Sequence, residues 1–276
     1  MTLHDIVAAA LAEDIGPGDI TSELVIPPEA RATGRFLAKQ PGVLSGLEVA
    51  AECFRQVDAD VTFSALLAEG DCFDAGTELA TVTGRARSLL AAERVSLNFL
   101  QRLCGIATLT SEFVARTAGT RARILDTRKT TPGLRLLEKR AVRAGGGHNH
   151  RFALYDGILL KDNHIAVAGG VTDAVLAART RAPHMLKIEV EVTSVGQLTE
   201  AVAAGADIAL LDNMTLEQME HAVAHGAGRI MLEASGGIHL DNVGAVAATG
   251  VNLISVGALT HSARAIDISL ELEPVE

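Results

Sequence analysis

The chain has 276 residues, 48% of them apolar, and a net charge of −10. That length allows one barrel or two modest domains around a large core. The composition excludes a membrane span, because no run of ~18 apolar residues occurs, and the acidic balance opposes nonspecific nucleic-acid binding. The opening MTLHDIVAAALAEDIG lacks the basic region and long apolar run of a signal peptide. Cys53, Cys72 and Cys104 have no metal-site spacing. They are expected to be reduced and mostly buried, in a cytoplasmic protein.

In chain order, Leu3, Ile6, Val7, Ala10 and Leu11 fall at helical spacing, and Gly16-Pro17-Gly18 ends that helix. Arg31–Gln40, Val61–Ala65 and Thr77–Thr83 read as strands, with a helix over Ala50–Val57. The segment EGDCFDAGTELATVTG has the strand-turn pattern of a biotinyl or lipoyl carrier, but no Lys stands at a hairpin tip, so a structural sheet is expected. Ala92–Gly105 reads as a helix leading into a second region, with Arg94 near its start. By pattern alone Arg94 is a solvated surface charge.

No aromatic residue follows Tyr155. From Ala122 onward, short aliphatic runs end in polar residues and alternate with Ala-rich helical stretches closed by Gly. The runs are Ala122–Asp126, Gly157–Lys161, Leu186–Val192, Asp207–Leu211, Arg229–Glu233 and Asn252–Val256. Such alternation implies a parallel sheet. Six units without GxGxxG favour a β/α barrel of six to eight strands over an open dinucleotide-binding sheet. The pattern predicts an α/β fold: a β/α barrel over residues 107–262, preceded by a small α+β domain over 1–106 that the tail 263–276 could join.

Barrel chemistry belongs at the C-terminal rim of the strands. That rim carries Asp126-Thr127-Arg128-Lys129, Lys161-Asp162-Asn163-His164, Glu191, Asp212-Asn213, Ser235-Gly236-Gly237 and Ser255-Val256-Gly257. The last two loops are Gly-rich, each opening toward a helix, the usual place for a phosphate. Glu191 and Asp212 are candidates for stabilising positive charge or holding a metal; structural pairing with nearby Lys or Arg is the plain alternative. Glu189 shares the strand face of Glu191. Residues 121–164 hold ten Lys or Arg against four Asp or Glu, a balance of +6, which leaves −16 elsewhere. This island of Arg, Lys, His and a Gly triplet reads as loops flanking strands, suited to one anionic ligand. His148 and His150 share one face of an extended segment, but Arg151 and Lys161 beside them disfavour a metal there.

Taken together, EDIGPGDITS (13–22), ERVSLNFLQRLCGIAT (93–108), DTRKTTPGLR (126–135), KRAVRAGGGHNHR (139–151), LLKDNHI (159–165), IEVEV (188–192), ALLDN (209–213), EASGGI (233–238) and ISVGALTHS (254–262) resemble the decarboxylating quinolinate phosphoribosyltransferases. The resemblance runs over nearly the whole chain, in order. It implies an N-terminal α/β sandwich, an incomplete barrel, and a homodimer with active sites at the subunit interface. It implies transfer of phosphoribose from 5-phosphoribosyl-1-pyrophosphate to quinolinate with loss of CO2, giving nicotinate mononucleotide in NAD biosynthesis. Magnesium is implied, with no organic cofactor. By the same resemblance Arg94, Arg128 and Arg151 grip quinolinate beside Lys129, His150 and Lys161. Lys129, Lys161, Glu191 and Asp212 are the catalytic set. Glu191 and Asp212 also serve ribose and magnesium, and Ser235, Gly236, Gly237, Ser255 and Gly257 hold the phosphate. Three other readings remain at this stage: a related phosphoribosyltransferase for another aromatic acid, a Schiff-base lyase using Lys161, and a non-catalytic phosphate-binding module.

Overall fold

The computed structural model describes residues 2–275, which form two compact units. The first runs to Ser111 and adds Thr130–Gly146 and the segment from Thr260 onward; the second holds Glu112–Lys129 and Gly147–Leu259. The elements of the first hundred residues are α1 (Leu3–Ile15), α2 (Ile20–Val25), β1 (Arg31–Ala38), β2 (Gly42–Val43), α3 (Leu47–Val57), β3 (Thr62–Ala65), β4 (Cys72–Phe73), β5 (Glu78–Arg85) and α4 (Ala86–Arg116). Then follow β6 (Arg123–Leu125), α5 (Arg135–Ala144), β7 (Ile158–Leu160), α6 (Asp162–Ala168), α7 (Val171–Arg181), β8 (Ile188–Val192) and α8 (Val195–Ala204). The chain continues through β9 (Ile208–Asp212), α9 (Leu216–Gly226), β10 (Met231–Ser235), α10 (Val243–Ala248), β11 (Leu253–Ser255), α11 (Ala258–His261) and β12 (Ile268–Val275).

In the first unit an antiparallel sheet runs β12-β1-β5-β3, with β2 and β4 paired separately. The strand β1 alternates in burial, so Ala32, Phe36 and Ala38 face inward while Thr33 and Arg35 stay more open. Phe36 meets Phe54 of α3 edge-on, with ring centroids 6.0 Å apart at 88°, and Phe63 closes the trio. Aromatic rings in this arrangement add to the burial of Leu44, Leu79, Leu89 and Leu100 around them. The helix α4 starts earlier and ends later than its apolar spacing indicates. Arg102, from α4, donates to Glu138 of α5, whose side chain is wholly buried, and to the Thr131 hydroxyl at 2.7 Å. The helix α5 is thereby fastened by a desolvated ion pair.

That helix corrects the reading of the cationic island. Arg135, Lys139, Arg140 and Arg143 lie on α5 in the first unit, not on loops beside barrel strands. The glycine triplet has a packing role too. A methyl at Gly145 would strike the Ala107 carbonyl, so the close approach of these two stretches requires glycine.

The second unit is a parallel sheet in the order β6-β11-β10-β9-β8-β7. Among the described residues β6 and β7 are not paired with each other, so the barrel is incomplete. His148 forms a single parallel bridge with Leu125 on the free edge of β6. The strand IEVEV shows how the wall is built. Ile188, Val190 and Val192 are fully buried, and the two glutamates between them take the opposite face. Glu189 is nonetheless buried, because that face is the barrel interior.

Candidate active site

Asp126 ends β6, is fully buried, and organises the segment on the open edge. Its Oδ1 accepts from the His150 backbone N–H at 2.9 Å and its Oδ2 from the Asn149 side chain at 2.5 Å. Two hydrogen bonds to one buried carboxylate hold this loop against the strand end. The loop presents Arg151, whose Nη1 donates to the Gly157 carbonyl at 2.8 Å. Arg151 Nε is buried with no hydrogen-bond partner among the described residues. Burial, and then the charge of Arg128, hold the Arg151 guanidinium below its ordinary value. Two half-buried cations pressed together make a site that an anion relieves. Lys129 sits one residue on, exposed at the rim, with its backbone N–H on Thr127 Oγ1 at 3.0 Å.

Across the sheet, Lys161 Nζ lies 3.2 Å from Glu191 Oε2, joining the ends of β7 and β8. Lys161 is half-exposed and donating to a carboxylate, the opposite of the desolvated, unpaired amine that a Schiff-base enzyme needs. Asp212, at the end of β9, accepts from Asn213 Nδ2 at 2.9 Å. Asn213 has a left-handed backbone, φ 52°, and its N–H donates to the Ser235 carbonyl at 2.9 Å. Gly236 makes that possible: at φ 92° it avoids strain, and any Cβ there would collide with the Asn213 side chain. Asn213 thus ties Asp212 to the Ser235-Gly236-Gly237 loop.

Of the two Gly-rich loops, Gly257 leads directly into α11, whereas α10 starts only at Val243. Ser255 is buried, with its hydroxyl 3.5 Å from the Ala234 carbonyl. The His150 ring also turns inward. Its Nε2 lies 3.0 Å from Glu189 Oε2 and 3.7 Å from Glu233 Oε1. Burial, and then the charge of Glu189, push the Glu233 carboxyl up to about 8. Beneath this trio a cavity of about 420 Å³ is lined by Arg123, Arg151, Lys187, Glu189 and Glu233 among others.

The second unit therefore gathers Arg128, Lys129, His150, Arg151, Lys161, Glu191, Asp212, Ser235, Gly236, Gly237, Ser255 and Gly257. Arg94 belongs to the first unit, exposed on α4. Sequence reasoning set Asn213 on the rim without a role and passed over Glu233 as a functional residue. The signal for Glu233 was an acid inside the apolar run MLEA of a strand buried on both faces.

The family models for the N-terminal and C-terminal domains of quinolinate phosphoribosyl transferase match residues 19–104 and 106–271. A probable nicotinate-nucleotide pyrophosphorylase (carboxylating) of Bacillus subtilis is 47% identical over 94% of this chain and 90% of its own length. The nicotinate-nucleotide pyrophosphorylase (carboxylating) of Mycobacterium leprae is 44% identical over 98% of this chain and 96% of its own. The crystal structure of NadC from Streptococcus pyogenes superposes with a TM-score of 0.96 at 44% identity, covering 99% of this chain and 97% of that one. No described helix is long and apolar enough to cross a membrane. On these grounds the chain belongs to the quinolinate phosphoribosyl transferase family.

Proposed function

We propose that this chain is a decarboxylating quinolinate phosphoribosyltransferase of NAD biosynthesis, acting on quinolinate and 5-phosphoribosyl-1-pyrophosphate. The observation that carries the substrate assignment is the crowded pair Arg128 and Arg151, with a buried, unpartnered Nε on Arg151. Quinolinate has two adjacent carboxylates. Guanidinium forks hold carboxylates bidentately, and a dianion offsets both desolvated cations at once. Lys129 and Lys161 complete the surround, His150 acts from behind Arg151, and Arg94 enters from the partner subunit of a cytoplasmic homodimer.

Phosphoribosyl transfer breaks the bond from the ribose anomeric carbon to pyrophosphate and forms one to the ring nitrogen. Positive charge grows at the anomeric carbon. Glu191 and Asp212, at neighbouring strand ends, are placed to stabilise it and to hold the ribose hydroxyls. The Lys161–Glu191 pair then has two tasks: the amine binds anionic substrate while orienting the carboxylate. Ser235, Gly236, Gly237, Ser255 and Gly257 receive the 5′-phosphate. Glu191 and Asp212 are hard oxygen donors suited to magnesium, which would neutralise the departing pyrophosphate. Once the ring nitrogen is glycosylated and cationic, the bond to the adjacent carboxylate breaks. CO2 leaves, and the electron pair stays on the ring carbon beside the positive nitrogen until a proton replaces it. No electron-sink cofactor is required.

The test is turnover of quinolinate and nicotinate side by side, following nicotinate mononucleotide and CO2. Quinolinate turnover with at least ~10²-fold preference over nicotinate is expected, because the monoacid leaves a buried cation unpaired. Equal turnover of the two acids would instead favour a related transferase of broader specificity.

A further inference from the structure

His150, Glu189 and Glu233 offer three ligand atoms within 4.8 Å of one another inside the barrel, the spacing of a metal site. The hydrogen bonds around the imidazole argue otherwise. His150 Nδ1 accepts from the Arg151 backbone N–H at 2.7 Å. An accepting Nδ1 leaves the one proton of the neutral ring on Nε2, which donates to Glu189 Oε2 at 3.0 Å. A metal on Nε2 would have to displace that proton while Nδ1 stays unprotonated, creating an imidazolate. One oxygen of Glu189 and one of Glu233 are buried without a hydrogen-bond partner among the described residues, and a proton shared between the two carboxyls answers that without a cation. Glu233, 1% exposed, is the acid of the group that burial and then the charge of Glu189 push toward its protonated form.

We infer that Glu189 and Glu233 are positioning residues for quinolinate recognition: they fix His150 as the Nε2–H tautomer inside the barrel, and His150, through the Arg151 N–H, fixes the guanidinium that grips the substrate. The chain of contacts is short. Glu233 lies against Glu189, Glu189 accepts from His150, and the His150 ring binds the very next peptide. On its other side the same residue is pinned by Asp126 through its backbone N–H. Residue 150 is thus held from two directions, and Arg151 leaves a fixed origin to reach Gly157. The substrate named in this inference rests on the function proposed above; the tautomer does not.

The closing experiment uses the full chain with ring-labelled histidine. Proton–nitrogen correlation spectra, with His150 assigned by its absence in His150→Gln, should show Nε2 protonated and Nδ1 bare from pH 6 to 8. An imidazolium, an Nδ1–H tautomer, or one equivalent of tightly held metal by elemental analysis overturns the inference. Kinetics supply the second arm. Glu189→Gln should raise KM for quinolinate about tenfold, the scale of one charge-assisted hydrogen bond, with a smaller change in kcat. Glu233→Ala should do likewise. Glu233→Gln should recover most of that loss, because its amide can still donate to Glu189 as the neutral carboxyl does. An unchanged KM in Glu189→Gln, or no recovery in a folded Glu233→Gln, overturns it as well. Wild-type protein inert toward quinolinate but with the Nε2–H ring intact would overturn the substrate assignment and leave the tautomer supported.

Discussion

The two units solve opposite problems. The first builds its core around aromatic rings: Phe36 and Phe63 of the antiparallel sheet pack with Phe54 of α3. The second puts acids and a histidine inside its barrel wall and has aliphatic residues alone on the opposite face of β8. Packing in the first is limited by shape, and a lost ring leaves a void. In the second it is limited by charge, and a lost proton matters more than a lost methylene. Stability and chemistry are thereby separated along the chain, and the contrast can be tested.

Phe36→Ala should give the largest effect. The ring is fully buried, and its removal should cost about 3–5 kcal/mol of unfolding free energy. Denaturant melts with a shift well under 1 kcal/mol would show that the aromatic core is not what holds the first unit. Asp212→Asn should do the reverse, lowering phosphoribosyl transfer by ~10² or more with an unchanged melt. Near-normal turnover at saturating magnesium would remove Asp212 from the mechanism. Mixing Arg94→Ala with Lys161→Ala chains, each inactive, probes whether the first unit contributes across a two-fold interface. If Arg94 serves the partner's site of a dimer, about half of random dimers are mixed and each has one intact site, so roughly a quarter of wild-type activity should return. No recovery, with mixed dimers verified by mass spectrometry, would place Arg94 in its own subunit's site.

A smaller effect comes from pH. The folded Glu233 carboxyl titrates at about 8, against an ordinary 4.5. Between those values the folded chain keeps a proton that the unfolded chain has released. Stability from this group is therefore complete below about 4.5 and lost as pH rises through 8. Wild-type melting temperature should fall relative to Glu233→Gln between pH 5 and pH 9; parallel curves would mean that Glu233 is ionised in the fold. The smallest test is a thiol count. Burial pushes Cys53 and Cys104 up to about 12, while Cys72 is exposed. A thiol reagent should label Cys72 alone in native protein, and rapid reaction at Cys104 would show that the α4 core opens.

Much of this was legible in the sequence because it is local. The alternation of strands and Ala-rich helices marks the parallel sheet, and polar residues closing each run mark the rim. Pattern also finds the helix ended by Gly16 and the strand β1. What escaped depends on residues far apart. The ionic grip of Arg102 on Glu138 explains why the middle of the cationic island folds into the first unit. No periodicity announces that partnership. Likewise Glu189 reads only as sharing the strand face of Glu191, and its burial shows once the barrel curls that face inward. His150 carries a site motif, yet its ring direction follows from one hydrogen bond to its neighbour's N–H. Among the cysteines, Cys72 departs from the expected burial because its strand β4 is two residues long at an open position.

The strand β12 pairs with β1 over eight residues, from Arg31 opposite Val275 to Ala38 opposite Ile268. During synthesis, then, β1 leaves the ribosome long before its neighbour exists. Its outer edge must stay unpaired while the barrel strands are made, and an open edge invites pairing with other chains. Charge on that edge is one safeguard: Arg35 and Lys39 later find Glu273 and Glu271 on β12, but in the nascent chain Lys39 lacks that partner and Arg35 has only Glu78 of β5, so both discourage association. The long closure also makes this contact slow to form. Chains stopped before Ile268 should therefore aggregate through the first unit while the barrel still folds, and pulse-labelled hydrogen exchange should find β1 protected last. Early protection of β1 would mean that another segment shields the edge in the meantime.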